Sequence, residues 1–105
     1  MAMLPLAVPL AALRDDNAIQ MLSAWVAEQG LHCTMKVGMW HAEGRCESAS
    51  WGILLADVVR HLANALQSEI GTNADDSVDQ IVESLLQELN APTSEASGAF
   101  SPGHS

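Results

Sequence analysis

A chain of 105 residues has room for one domain, and one this short hides only about two thirds of its unfolded surface on folding, so an oligomer interface would be a natural supplement. Arg14, Lys36, Arg45 and Arg60 lie scattered among thirteen acidic residues, for a formal net charge of -9. That balance argues against nucleic acid and anionic membranes as partners, which are held by clustered cations, and leaves a solvated acidic surface or a cationic partner as the readings of the charge.

The opening MAMLPLAVPLAAL is apolar, lacks a basic n-region, contains Pro5 and Pro9 and is too short to span a bilayer. Cys33 and Cys46 form no CxxC pair, so neither a disulfide framework nor a thiol redox motif is indicated. The expected location is the cytoplasm, with reduced thiols; an unusual signal peptide is the alternative. Between Met3 and Leu10 the larger side chains share one parity and the prolines the other, which suits an N-terminal edge strand or an extended arm without ladder pairing.

Asp15, Asp16 and Asn17 offer an N-cap, and Ile19, Leu22, Trp25 and Val26 follow at helical spacing up to Gly30, so a first helix is predicted over about 16–29. The next stretch, LHCTMKVGMW (31–40), alternates with period two and is the clearest strand in the chain. Leu31, Cys33, Met35, Val37 and Met39 share its apolar face. With weak strand candidates around it, its free edge predicts antiparallel pairing with a second copy, so Cys33, Met35, Val37 and Met39 are the dimer-strand candidates.

HAEGRCESAS reads as a polar loop. A helix over about 51–70, capped by Ser48 or Ser50, carries the stripe Leu55, Val58, Val59, Leu62, Leu66 and Ile70. Gly71 ends it, and Thr72 or Asn73 caps a third helix over about 74–90, with Val78, Ile81, Val82, Leu85, Leu86 and Leu89 on one stripe and Asp79, Glu83 and Glu88 outside it. So short a connection predicts an antiparallel hairpin. Residues 1–90 thus read as a single α+β domain, a short sheet packed by three helices and continued across a dimer, and 91–105 as a disordered tail that includes Phe100 and His104.

The run GLHCTMKVGMW followed by WGILLADVVRHLANAL resembles a small family of uncharacterised bacterial proteins known only as a domain of unknown function. The resemblance spans most of the predicted ordered chain. It implies a small single-domain bacterial protein located in the cytoplasm, and it supplies no activity, ligand or catalytic residue.

The polar cluster that stands out is Asp57, Arg60, His61 and Asn64, placed on one helix face by spacings of three and four. Asp57 one turn before His61 would fix the ring or favour its charged form, and Arg60 would hold a carboxylate or phosphate. The competing reading is a solvated face or an intersubunit contact in which Asp57 pairs with Arg60 or His61. His32, Cys33, His41, Cys46, His61 and His104 show no recognised metal-ligand spacing, so neither a metal nor a cofactor is expected. Ser48 and Ser50 lack a GxSxG setting and read as caps, while Trp40 and Trp51 read as packing residues or an aromatic platform. The favoured function is a non-enzymatic interaction or regulatory module acting as a homodimer with an unidentified protein partner. The alternative is a small-anion binding protein or enzyme using Asp57, Arg60, His61 and Asn64.

Overall fold

Seven elements follow one another in the computed structural model, which describes residues 5–93 and 96–102. They are α1 (Leu10–Arg14), β1 (Leu22–Ala27), β2 (Gly30–Val37), α2 (Met39–Ala42), α3 (Glu47–Ile70), α4 (Ala74–Asn90) and β3 (Ala96–Pro102). The class is α+β, with a three-stranded sheet of order β1-β2-β3 and four helices. Met3, Leu4 and His104 lie outside the described residues.

The first helix expected over 16–29 is replaced by β1, which pairs antiparallel with β2 from Leu22↔Met35 to Ala27↔Gly30. Trp25 and Val26 fit a strand as well as a helix, and the ladder with β2 decides between them. Asp15 shapes a local turn instead of capping a helix: its carboxylate accepts from the Asn17 N–H at 2.9 Å and its carbonyl from the Ala18 N–H at 3.0 Å. Glu28 and Gln29 join the strands, both left-handed at φ 51° and 65°. Two-residue hairpin turns require that geometry and usually recruit Asn or Gly for it, which is why the turn gives no sequence signal here. Residues 5–9 form no ladder, matching the extended arm and not the edge strand.

The tail expected to be disordered holds β3, which pairs parallel with β2 from Leu31↔Ala96 to Val37↔Pro102. Gly98 permits the approach: it sits at φ 135°, and a Cβ there would overlap the backbone of Cys33. β2 is therefore flanked on both edges within the chain, and its free edge, the basis for the strand-mediated dimer, is occupied. Any continuation of the sheet has to use the outer edge of β1 or β3. Cys33, Met35 and Val37 lie on β2, while Met39 has moved into α2 because Gly38, left-handed at φ 95°, ends the strand.

The α3–α4 pair follows the expected stop and cap signals. Gly71 closes α3 at φ 79°, its N–H reaching the Leu66 and Gln67 carbonyls, and Asn73 caps α4 by accepting from the Asp76 N–H at 3.1 Å. The Gln67 side-chain carbonyl also accepts from the Ala74 N–H at 3.1 Å, bracing the connection. Beyond α4 the Glu88 carboxylate accepts from Thr93 Oγ1 and the Thr93 N–H at 2.5 and 2.9 Å, and these bonds hold its pKa below the ordinary 4.5. The two helices pack on each other, and Ala63 on α3 and Ser77 on α4 are buried; among the described residues no strand packs broadly on either helix, so the expected layer of helices over the sheet is not formed.

Replacing Glu28–Gln29 with Asn-Gly removes the strain of two left-handed non-glycine residues. The double substitution is expected to stabilise the protein by about 1–2 kcal/mol, read from chemical denaturation, with β1 and β2 amides gaining protection from hydrogen exchange.

Candidate functional site

Gly38 turns the chain so sharply out of β2 that the N–H groups opening α2 have no acceptor in their own helix. The Glu47 carboxylate, in the first turn of α3, supplies one. Its Oε1 accepts from the Trp40 and His41 N–H groups, both at 3.0 Å, and its Oε2 from the Gly38 N–H at 3.0 Å and Trp51 Nε1 at 2.9 Å. Trp51 lies one helical turn after Glu47, which brings its indole N–H to the same carboxylate. Trp40 and Trp51 meet edge to face, with centroids 5.7 Å apart and planes at 88°, the packing alternative of the sequence reading.

These bonds also explain why α3 starts at Glu47, ahead of the expected boundary near Trp51. Neither Ser48 nor Ser50 caps it; Cys46 is the N-cap residue without a side-chain cap bond, and both serines lie inside the helix. Partial burial pushes the Glu47 carboxyl upward, but hydrogen bonds from Gly38, His41, Trp51 and Trp40 outweigh it and hold the group below its ordinary 4.5. Sequence reading passes over Glu47 as one acid in a polar loop. Its signals are the acid–tryptophan spacing of four and the glycine that precedes α2.

Against this corner opens a cavity of about 540 Å³. Trp40, Ile53, Leu54 and Val58 supply its apolar wall, and Arg45, Ser50, Asp57 and His61 its polar groups. Of the four site residues expected, Asp57 and His61 line it, while Arg60 and Asn64 are not among its lining residues. The Asp57 carboxylate pairs with the Arg60 guanidinium across an i,i+3 spacing, both side chains being mostly exposed. The charge partner of Asp57 is therefore Arg60, one of the two pairings anticipated. Arg45 is the cation missed by spacing arguments, because it comes from the turn between α2 and α3 and only the fold brings it beside α3.

A larger cavity, about 760 Å³, separates the N-terminal arm from β1. Its lining, which includes Leu6, Val8, Ile19 and Trp25, has no titratable side chain, so it offers space without acid–base chemistry. Cys33 and Cys46 are free, and among the described residues no three His, Cys, Asp or Glu side chains gather as a metal site. Among the described residues, too, no helix is long and apolar enough to cross a membrane.

Residues 5–93 match the family described as a domain of unknown function (DUF5076), and the chain belongs to it. No curated protein matches. The fold is similar to a solved structure from the photosynthetic bacterium Rhodopseudomonas palustrus CGA009, a protein provisionally described as a pyruvate dehydrogenase. The two are 27% identical, with a TM-score of 0.66 over 90% of this chain and 92% of that one.

Glu47→Ala leaves four donors without their acceptor, and it is expected to lower the thermal midpoint by several degrees and to disturb the near-ultraviolet signal of the Trp40–Trp51 pair. The pH dependence has a definite sign. Because the folded pKa is depressed below 4.5, the contribution of Glu47 is complete above that value and is lost as the pH falls through the folded pKa. Glu47→Gln is expected to flatten the acid limb of stability below about pH 4.5 and to leave its slope near neutrality unchanged, as followed by thermal melts across pH.

Proposed function

We propose that this DUF5076 member is a non-enzymatic interaction module that works as an obligate homodimer, its fold completed by a second copy. The supporting observation is surface area. The chain exposes 8,696 Å², whereas a compact monomer of 11.1 kDa exposes about 5,700 Å², an excess of about 3,000 Å². Its radius of gyration is 15.7 Å, against about 13 Å for a compact chain of this length. Obligate homodimer interfaces bury roughly 2,000–5,000 Å² in total, so the excess carried by two chains suffices for a large one.

The exposed area has the chemistry of an interior. Among the described residues Ala63 is the one buried apolar residue, while Leu55, Leu62, Leu85, Leu86 and Leu89 on α3 and α4 are all more than 40% exposed. A lone protomer with so thin a core has little to offset the conformational entropy of ordering its backbone. A second copy fits because the demand comes from folding itself, and a self-complementary twofold interface meets it with one chain type. Asp79 and Glu83 fall off the apolar stripe of α4 and would remain outward as an acidic surface for a cationic protein partner.

A binding role also accords with the polar groups. Asp57 is engaged by Arg60 in an exposed pair, a setting that gives neither group the isolation of a general acid or base. The dehydrogenase description belongs to the structural neighbour, which is 27% identical to this chain.

Sedimentation velocity is expected to return twice the chain mass throughout the micromolar range, with dilution giving unfolding in step with dissociation. Leu62→Glu should abolish both assembly and helical circular dichroism, whereas Asp79→Lys should preserve both. A well-folded monomer at micromolar concentration would overturn the proposal.

A further inference from the structure

We infer that the cavity at the α2–α3 corner binds a small amphipathic carboxylate, an anionic head joined to an aryl or aliphatic body. This goes beyond the assembly role and rests on different residues. The body of such a ligand has a fixed wall to lie on. Trp40 is held through its backbone N–H by Glu47 and through its ring by Trp51, and Ile53, Leu54 and Val58 continue the wall along successive turns of α3. Ile53 and Val58 are 67% and 48% exposed, apolar surface that a bound body would take out of water. The recess is shallow and open to solvent, and its volume of about 540 Å³ leaves room for a small organic body laid along the wall.

The head is specified by charge. In a chain with four basic residues against thirteen acidic, a guanidinium and an imidazole, Arg45 and His61, line the same cavity. Asp57, the carboxylate among the lining residues, is paired with Arg60, which lies outside the lining. Arg45 approaches Glu43 only through Nε, at 3.9 Å, with both side chains more than half exposed. A pair that long and that wet is weak, and it leaves the terminal guanidinium nitrogens for a two-point bond to a carboxylate. Ser50 adds a hydroxyl to the polar side.

The groups that specify the head stand apart from the surface assigned to the second copy: at 100° per residue, Leu55 and Leu62 project about 120° and about 100° from His61 around α3, and Arg45 precedes that helix, while Val58, about 40° from Leu62, borders both surfaces. Arg45→Ala and Leu62→Glu therefore test the two readings separately.

The test is calorimetric titration of the full chain with 2-naphthoate, with 2-naphthamide as its uncharged counterpart and pyruvate as a carboxylate without the large body. Saturable binding of one naphthoate per chain is expected, with the amide and pyruvate each weaker by about tenfold or more. Arg45→Ala should weaken naphthoate by about tenfold and His61→Ala by a smaller factor, while Arg14→Ala, on α1 and not among the lining residues, should leave it unchanged. Arg45 is exposed, so its variant is expected to keep the fold, which the circular dichroism spectrum and sedimentation mass of each variant check. Absence of saturable naphthoate binding by the assembled wild type, equal binding of acid and amide, pyruvate binding as tight as naphthoate, or wild-type affinity in a folded Arg45→Ala would each overturn the inference.

Discussion

The carboxylate of Glu47 is the point on which the two halves of this protein turn. A sheet ends at Val37, a 24-residue helix begins at Glu47, and among the described residues no strand packs broadly on that helix or on α4. The link between them is the short α2, a single turn of helix too brief to be stable by itself. Glu47 compensates by accepting the N–H groups of Gly38, Trp40 and His41 while bonding the indole of Trp51. One side chain thus completes the hydrogen bonding of α2, fixes its direction relative to α3 and orients the aromatic wall of the adjoining cavity. The depressed pKa of Glu47 expresses the same fact: donors from three backbone positions and one ring converge where a negative charge is needed.

The sequence made the helical hairpin legible and most of the sheet illegible, for physical reasons. Gly71 and Asn73 act locally, through a left-handed stop and a side-chain cap, so their roles follow from the residues themselves. β1 depends on partners outside its own segment, and its turn uses Glu28 and Gln29 in a conformation their side chains do not advertise. β3 pairs with a strand made far earlier, and Gly98, within the stretch expected to be a disordered tail, serves a close backbone approach. The cavity shows the same division. Spacing along α3 finds Asp57 and His61, but Arg45 arrives through a turn and Glu47 acts through a loop closure. Arg60, grouped with the site by spacing, pairs with Asp57 but is not part of the lining.

α3 faces three environments, which accounts for its unusually broad apolar surface. Ala63 is buried, on the helix that packs against α4. Leu55 and Leu62 lie on an uncovered flank, the one assigned above to a second copy. Leu54 and Val58 turn to the corner formed with α2. Arg60 and Asn64 share the polar side of the helix with Asp57 and His61. A surface helix of a self-sufficient domain needs only one apolar stripe, and a helix apolar round most of its circumference belongs in the interior of something larger. The thin core of the protomer and the breadth of this stripe are two expressions of one design.

The order of pairing in the sheet bears on how the protein is made. β1 and β2 form a hairpin from neighbouring residues, a contact that a growing chain can make early. β3 reaches the other edge of β2 only after α3 and α4 have been synthesised. Throughout that interval β2 presents an unpaired edge to every other nascent copy, the condition under which strands exchange between chains. The late strand therefore acts as a seal whose timing matters as much as its strength, and Gly98, by letting the backbones meet without a side chain between them, sets how fully that seal closes.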